Sequence, residues 1–231
     1  MLGVLGEAAG LILAWDRDLV EIVALSLRVT LVAVLASCVI GLPLGAAVGA
    51  FRFPGRGVMA LVLNALMGLP PVVVGLLVYL TLSASGPLGP LRLLYTPTAM
   101  IIAQAVLVTP IVAALTRQVV EELNAEYAEQ FASLGVRPFE RVAALLFDAR
   151  YALLTVALAG FGRAVAEVGA VLIVGGNIDH VTRVMTTTIA LETSRGNLQL
   201  ALALGVVLLL IALVVNAVVM TLRSVDLRVA P

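Results

Sequence analysis

The stretch VTLVAVLASCVIGLPLGAAVGA, Val29–Ala50, carries no charged side chain from end to end. A bilayer core about 30 Å thick is crossed by roughly 20 apolar residues in a helix, and only apolar side chains are tolerated against lipid. The rest of the chain is of the same character. Of its 231 residues 62% are hydrophobic and 12% charged, with a mean hydropathy of +1.15, whereas soluble domains carry about 25% charged residues.

Working outward, Val58–Leu82, Leu93–Thr116 and Leu198–Leu222 are also free of charge, and Tyr151–Gly176 is apolar except for Arg163 and Glu167. These predict an all-α integral membrane protein with five transmembrane helices. Met1–Ala14 is apolar but short and interrupted by Glu7. It reads as an interfacial helix ending near Trp15, with a sixth span as the alternative. The expected organisation is an N-terminal interfacial segment (1–19), a transmembrane domain (20–222) containing a polar insert (117–150), and a C-terminal tail (223–231). The first residues lack the basic start and small-residue cleavage site of a signal peptide. A formal net charge of zero suggests no nucleic-acid partner, and the single cysteine, Cys38, excludes an internal disulfide.

Arginine counts give an orientation. Five spans leave Arg52, Arg56, Arg117, Arg137, Arg141, Arg150, Arg223 and Arg228 on one side, and Arg17, Arg28, Arg92, Arg183 and Arg195 on the other. The richer side is expected to be cytoplasmic, which puts the N-terminus outside, the C-terminus inside and the insert in the cytoplasm.

Small residues recur every fourth position at Ala33, Ser37, Gly41, Gly45 and Gly49. Such a stripe lets a second helix approach closely, as static packing or as a contact that moves. Met67–Gly75 reads MGLPPVVVG, and Pro70 and Pro71 break the helix because neither has an N–H to donate. Broken membrane helices face protein or a watery cavity, which makes the two prolines candidates for a translocation path. Pro110, in VTP, is a second kink candidate.

In the insert, Leu123, Tyr127, Phe131 and Leu134 repeat at helical spacing from Glu121 onward, with Glu121, Glu122, Glu126 and Glu129 around them. Gly135 is a natural helix stop and Pro138 suits the first turn of a second helix, whose apolar side is Phe139, Val142, Ala143, Leu146 and Phe147. A helix–glycine–helix elbow is predicted. An amphipathic loop lying in the headgroups is the plainer reading. The acidic first helix favours a protein partner, since the inner leaflet is itself negative.

EQFASLG (Glu129–Gly135) resembles the cytoplasmic coupling signature of ABC-importer permeases, with Phe131 where that signature usually has Ala. GLPPVVVGLLVYLTLSASGPLG (Gly68–Gly89), YTPTAMIIAQ (Tyr95–Gln104) and GFGRAVAEVGAVLIVGGNI (Gly160–Ile178) resemble permeases of the tungstate-type oxyanion importers, and the likeness runs from about Val20 to Leu222. It implies a multi-pass protein of the cell (inner) membrane that pairs with a second copy of itself, two cytoplasmic ATPases and an extracytoplasmic oxyanion-binding protein. It also implies that Glu129, Phe131, Ala132, Leu134 and Gly135 form the contact with the ATPase, and that alternating access moves tungstate, or molybdate, inward. The chain itself is expected to hold no cofactor, ATP and Mg belonging to the ATPase. A P-loop needs a lysine, and all 14 basic residues here are arginine.

Arg163 and Glu167 fall one helical turn apart inside a span. Ionisable groups there each cost at least ~2.5 kcal/mol to bury, which makes them functional candidates. They line the path of an oxyanion, or they neutralise each other structurally. A different class of protein, a membrane enzyme, would use the same pair as its intramembrane site and act without partners. A passive channel would leave the elbow without a task. His180, the sole histidine, is expected in a solvated outward loop beside Asp179, with no metal cluster in view. The hydroxyl-rich stretch Val181–Asn197 is read as ordinary loop or as the lining of an external gate.

Overall fold

The computed structural model describes residues 10–14 and 16–229, with side chains placed as far as Thr221. Most of the expected interfacial segment, Met1–Ala9 and Trp15, lies outside the described residues. All regular structure among them is helical: α1 (Arg17–Ala50), α2 (Arg56–Met67), α3 (Pro71–Leu82), a short 3-10 turn (Gly89–Leu91), α4 (Pro97–Glu126), α5 (Ala128–Leu134), α6 (Pro138–Asp148), α7 (Arg150–Val165), α8 (Gly169–Gly175), α9 (Met185–Arg195) and α10 (Leu198–Val229). Three helices are long and apolar enough to cross a membrane, α1, α4 and Leu198–Thr221 of α10, or up to five spans if the bent pairs α2–α3 and α6–α7 each count as one. Leu209, Leu213, Val214 and Met220 of α10 stand exposed, a surface that only lipid or another chain tolerates.

Several elements differ from expectation. The apolar run Tyr151–Gly176 is not one helix: α7 stops at Val165, and α8 starts at Gly169. The break is chemical, because the Glu167 carboxylate takes the amide of Ala170 at 3.2 Å and its carbonyl takes the Thr186 hydroxyl at 2.7 Å. Glu121, Leu123 and Glu126 belong to the end of α4, and the first arm of the elbow is only α5. Between the two, Tyr127 sets its ring edge-on to Phe131 and bonds its hydroxyl to Asp148 at 2.8 Å. Pro110 leaves α4 unbroken, and α10 runs on to Val229.

The chain divides into two compact units, to which α1, α4, α7 and α10 each contribute residues. The first holds the chain up to Ala33, Pro70–Gln104 and Gly162–Asn216; the second holds Val34–Leu69, Ala105–Phe161 and the chain from Ala217. The break between α2 and α3 falls at their boundary. Pro70 caps α3 and Pro71 opens it, at a position where a missing N–H costs nothing.

In the first unit α3 lies against α8, and each offers a glycine. A methyl on Gly75 would come 2.7 Å from the Ala170 Cα, and one on Gly169 would come 2.9 Å from Val72. In the second unit the small-residue stripe of α1 meets α4 in matched steps of four. A methyl on Gly41 would meet Val112 at 2.9 Å, one on Gly45 would run into the Ala113 carbonyl, and one on Gly49 would meet the Arg117 carbonyl at 2.8 Å. Rising numbers on both helices mean that the pair is parallel. Beyond Gly49, Arg56 donates to the Val48 and Gly49 carbonyls at 2.7 and 3.3 Å, and Asn124 donates to Ala50 at 3.3 Å. These side chains satisfy carbonyls that the end of α1 leaves without helical partners.

Candidate functional site

Two regions collect polar chemistry, one in each unit. In the first unit the centre is Glu167. Arg163, in the last turn of α7, donates to Glu167 Oε2 at 2.5 Å, and Oε1 accepts from Ala170. The carboxylate side chain is 3% exposed and the arginine 35%, so the acid is sealed while the guanidinium lies at the edge. Around it, Gln104 donates to the Ala164 carbonyl at 3.1 Å. The Ser26 hydroxyl accepts from the Met185 amide at 2.8 Å and donates to Ile22 at 2.6 Å. Buried polar groups are expensive unless bonded, and this cluster bonds nearly all of its own. The exception is Gln104 Oε1, which is buried with no partner among the described residues. It shares a cavity of about 10 Å³ with Ser26, Thr30, Glu167 and Thr186. That is room for about one water and far too little for a polyatomic anion.

The hydroxyl-rich stretch read as an outward loop is largely the helix α9, and Thr186, Thr187 and Thr188 are buried. A helix with polar residues on its inner side accounts for this, since each hydroxyl finds an internal acceptor: Glu167 for Thr186, Asn177 for Thr187 and Val184 for Thr188. Sequence reasoning assigned no individual role to Gln104 or Ser26, and took Thr186 only as part of the hydroxyl-rich stretch. A signal existed for Gln104, the single amide in an otherwise apolar run, because such a group needs a partner inside the protein. His180 lies in the α8–α9 loop as expected, yet it is tied to Glu21 at 3.1 Å, beside an Asp179–Arg183 pair at 2.7 Å. That bond and the nearby Asp179 charge raise the imidazole pKa above its ordinary 6.5.

In the second unit the elbow is helix, glycine, helix as expected, with a shorter first arm. Gly135 ends α5 with φ 62° and returns its amide to Phe131, and Pro138 opens α6. The left-handed conformation suits glycine, which has no Cβ to clash. Glu140 accepts from the Arg137 amide at 3.3 Å, stabilising the start of α6. Leu145 is fully buried with Ala46, Ala50 and Val120, and Leu123, Tyr127, Phe131, Val142 and Leu146 pack on that cluster. Of the five residues singled out in EQFASLG, Glu129, Ala132, Leu134 and Gly135 are exposed, whereas Phe131 turns inward under the Arg141 guanidinium, 5.2 Å from its ring. Phe131, partly buried, therefore braces the elbow from within. The predicted apolar side of α6 also divides. Val142 and Leu146 face in, while Phe139 is 86% and Phe147 71% exposed. The Tyr127 pKa is raised, chiefly by its hydrogen bond to Asp148.

The chain belongs to the family of inner membrane components of binding-protein-dependent transport systems, whose pattern covers residues 41–225. It is thus a permease component of an ABC transporter. It is 40% identical over 217 residues to the tungstate uptake system permease protein TupB of Peptoclostridium acidaminophilum, covering 94% of this chain and 95% of that one. It is 42% identical over 204 residues to a probable anion ABC transporter permease protein of Haloferax volcanii, covering 86% and 88%. With the TupB of Campylobacter jejuni it shares 38% over 173 residues, covering 75% and 72%.

Proposed function

We propose that this chain is the membrane-spanning subunit through which an ATP-driven importer moves a tetrahedral oxyanion, tungstate before molybdate, into the cell. The observation that carries the substrate is the near full-length likeness to a tungstate uptake permease. The transport domain is residues 20–222, with its N-terminus outside and its C-terminus in the cytoplasm. Its five spans are α1, α2–α3, α4, the run Tyr151–Gly176 (α7 with α8, in place of the bent pair α6–α7, since α6 belongs to the elbow) and α10. Two copies pair, an external binding protein delivers the anion, and each elbow (within 117–150) docks on one of two cytoplasmic ATPases. Leu134, Phe139 and Phe147 supply exposed apolar area for that contact, small Ala132 and Gly135 let the partner approach, and Glu129 offers a charged anchor. Phe131 and Leu145 transmit force, since they join the elbow to the ends of α1 and α4. Arg163 lies beside the anion's route, held by Glu167 so that its charge attracts without trapping, and the break at Pro70–Pro71 lets α2 and α3 respond separately. With the knot sealed in this way, the cavity beside Glu167 is closed to substrate.

The test is uptake of labelled tungstate by cells with and without the chain, challenged with excess unlabelled molybdate. Uptake that needs the chain and resists molybdate supports a tungstate importer. Uptake abolished by molybdate widens the substrate to both. Independence from the chain removes the substrate assignment.

A further inference from the structure

The second unit contains a cleft of about 560 Å³ between the end of α1, the end of α4 and the elbow, lined by Arg52, Arg56 and Arg141 together with Glu121, Asn124 and Pro138. Its charges do not balance. The one acid in the lining is already claimed twice, Oε1 by Arg56 at 2.9 Å and Oε2 by Arg117 at 2.6 Å. Arg56 also spends its Nε and Nη2 on the Val48 and Gly49 carbonyls. Arg141 gives its Nε to Asn124 at 2.6 Å and lies over Phe131, which leaves both its terminal amino groups uncommitted among the described residues. Arg52 has no partner among them and is exposed. Two guanidinium groups without a counter-ion thus border a cleft of small-ligand size. The stacked Arg141 is held in one orientation, so little conformational freedom remains to be lost when it binds a multi-oxygen anion through two N–H groups.

We infer that this cleft is a binding site for a phosphate-type oxyanion, held by Arg52 and Arg141. The group comes from solution, or it is the headgroup of an anionic lipid reaching the elbow. Binding to this cleft is measured without ATPase or binding protein, so its outcome is independent of the transport reading.

The test uses the purified full chain in detergent, titrated with inorganic phosphate against chloride at matched ionic strength, with thermal unfolding as readout. A second arm places the chain in nanodiscs of phosphatidylcholine alone or with phosphatidylglycerol. A melting temperature raised by phosphate, with the half-maximal concentration at least tenfold higher in Arg52→Gln, supports a soluble ligand. A rise with phosphatidylglycerol only, lost in Arg52→Gln, supports a lipid headgroup. Arg141→Gln should act in the same direction. Because that variant also loses contacts to Asn124 and Phe131, the deciding variant is Arg52→Gln, which removes no hydrogen bond or ion pair among the described residues. Equal responses from wild type and Arg52→Gln overturn the inference. So does silence from both probes while Arg52→Glu weakens association with the ATPase, which would assign the cleft to an acidic protein partner.

Discussion

The polar knot around Glu167 and the elbow around Leu145 solve opposite problems with similar residues. In the knot, charge and hydroxyl groups are turned in and spent on one another, to the point that a single side-chain oxygen, on Gln104, is left over. In the elbow, one leucine and its neighbours are turned in, while Leu134, Phe139, Phe147 and Glu129 are left open. A sealed polar cluster costs free energy to rearrange, because each bond broken leaves a group that neither lipid nor packed protein can satisfy. An exposed apolar elbow costs little to leave alone and gains when something covers it. The first suits a part that switches between discrete states, and the second suits a part that meets another molecule.

That contrast predicts unequal costs for equal truncations. Glu167→Ala strips Arg163 and the Ala170 amide of their partner. It should destabilise the chain by roughly 3 kcal/mol, the lower end for a broken buried pair, since Arg163 is only partly buried. Chemical unfolding in detergent measures it. Replacing both members, Arg163→Gln with Glu167→Gln, should recover much of that stability while transport stays impaired. Full transport by the double variant would mean that the pair is structural only. Phe139→Ala, at an 86% exposed position, should change stability by less than about 0.5 kcal/mol, yet weaken ATPase association several-fold in a pull-down of the full transporter. If Phe139→Ala instead proved as destabilising as Glu167→Ala, the elbow would be a folded core element and not a docking surface.

The sequence made much of this visible, for identifiable reasons. Charge-free runs of membrane length disclosed α1, α4 and α10, because exposed carbonyls and charges are excluded from lipid and leave long apolar helices as the solution. The stripe from Gly41 to Gly49 foretold a close helix contact, and Gly135 with Pro138 foretold the elbow, since local backbone rules govern both. The break at Glu167 was not legible. Hydropathy averages over it, and the cause is a bond to Thr186, nineteen residues away. The same limit hid the inward turn of Phe131 and the burial of the α9 threonines. Helical spacing says which residues share a side, but tertiary packing decides which side is covered. Those threonines read as loop because their hydroxyls suit water as well as they suit internal carbonyls.

The smallest effect expected concerns the α8–α9 loop of the first unit, where the knot's logic loosens into solvent-exposed pairs. His180 faces Glu21 directly, with Asp18, Asp179 and Arg183 bordering the same recess, and Asp179 is already held by Arg183. Its pKa is raised in the folded chain, by the bond to Glu21 first and the Asp179 charge second. A raised value means that the proton is bound more tightly when folded, so the tie is fully present below the unfolded value of about 6.5 and is lost as pH climbs through the folded one. The loop Gly176–Val184 carries left-handed residues at Gly176, Asn177 and His180 and should therefore open more readily at pH 8 than at pH 6. Hydrogen exchange at Asn177–Arg183, corrected for the intrinsic pH dependence, should show about a few-fold loss of protection over that interval, consistent with an exposed ion pair. His180→Ala should show the low-protection value at both. An unchanged pH response in His180→Ala would move the switch to another group. It would also leave Glu21 and His180 as neighbours that touch without holding the loop.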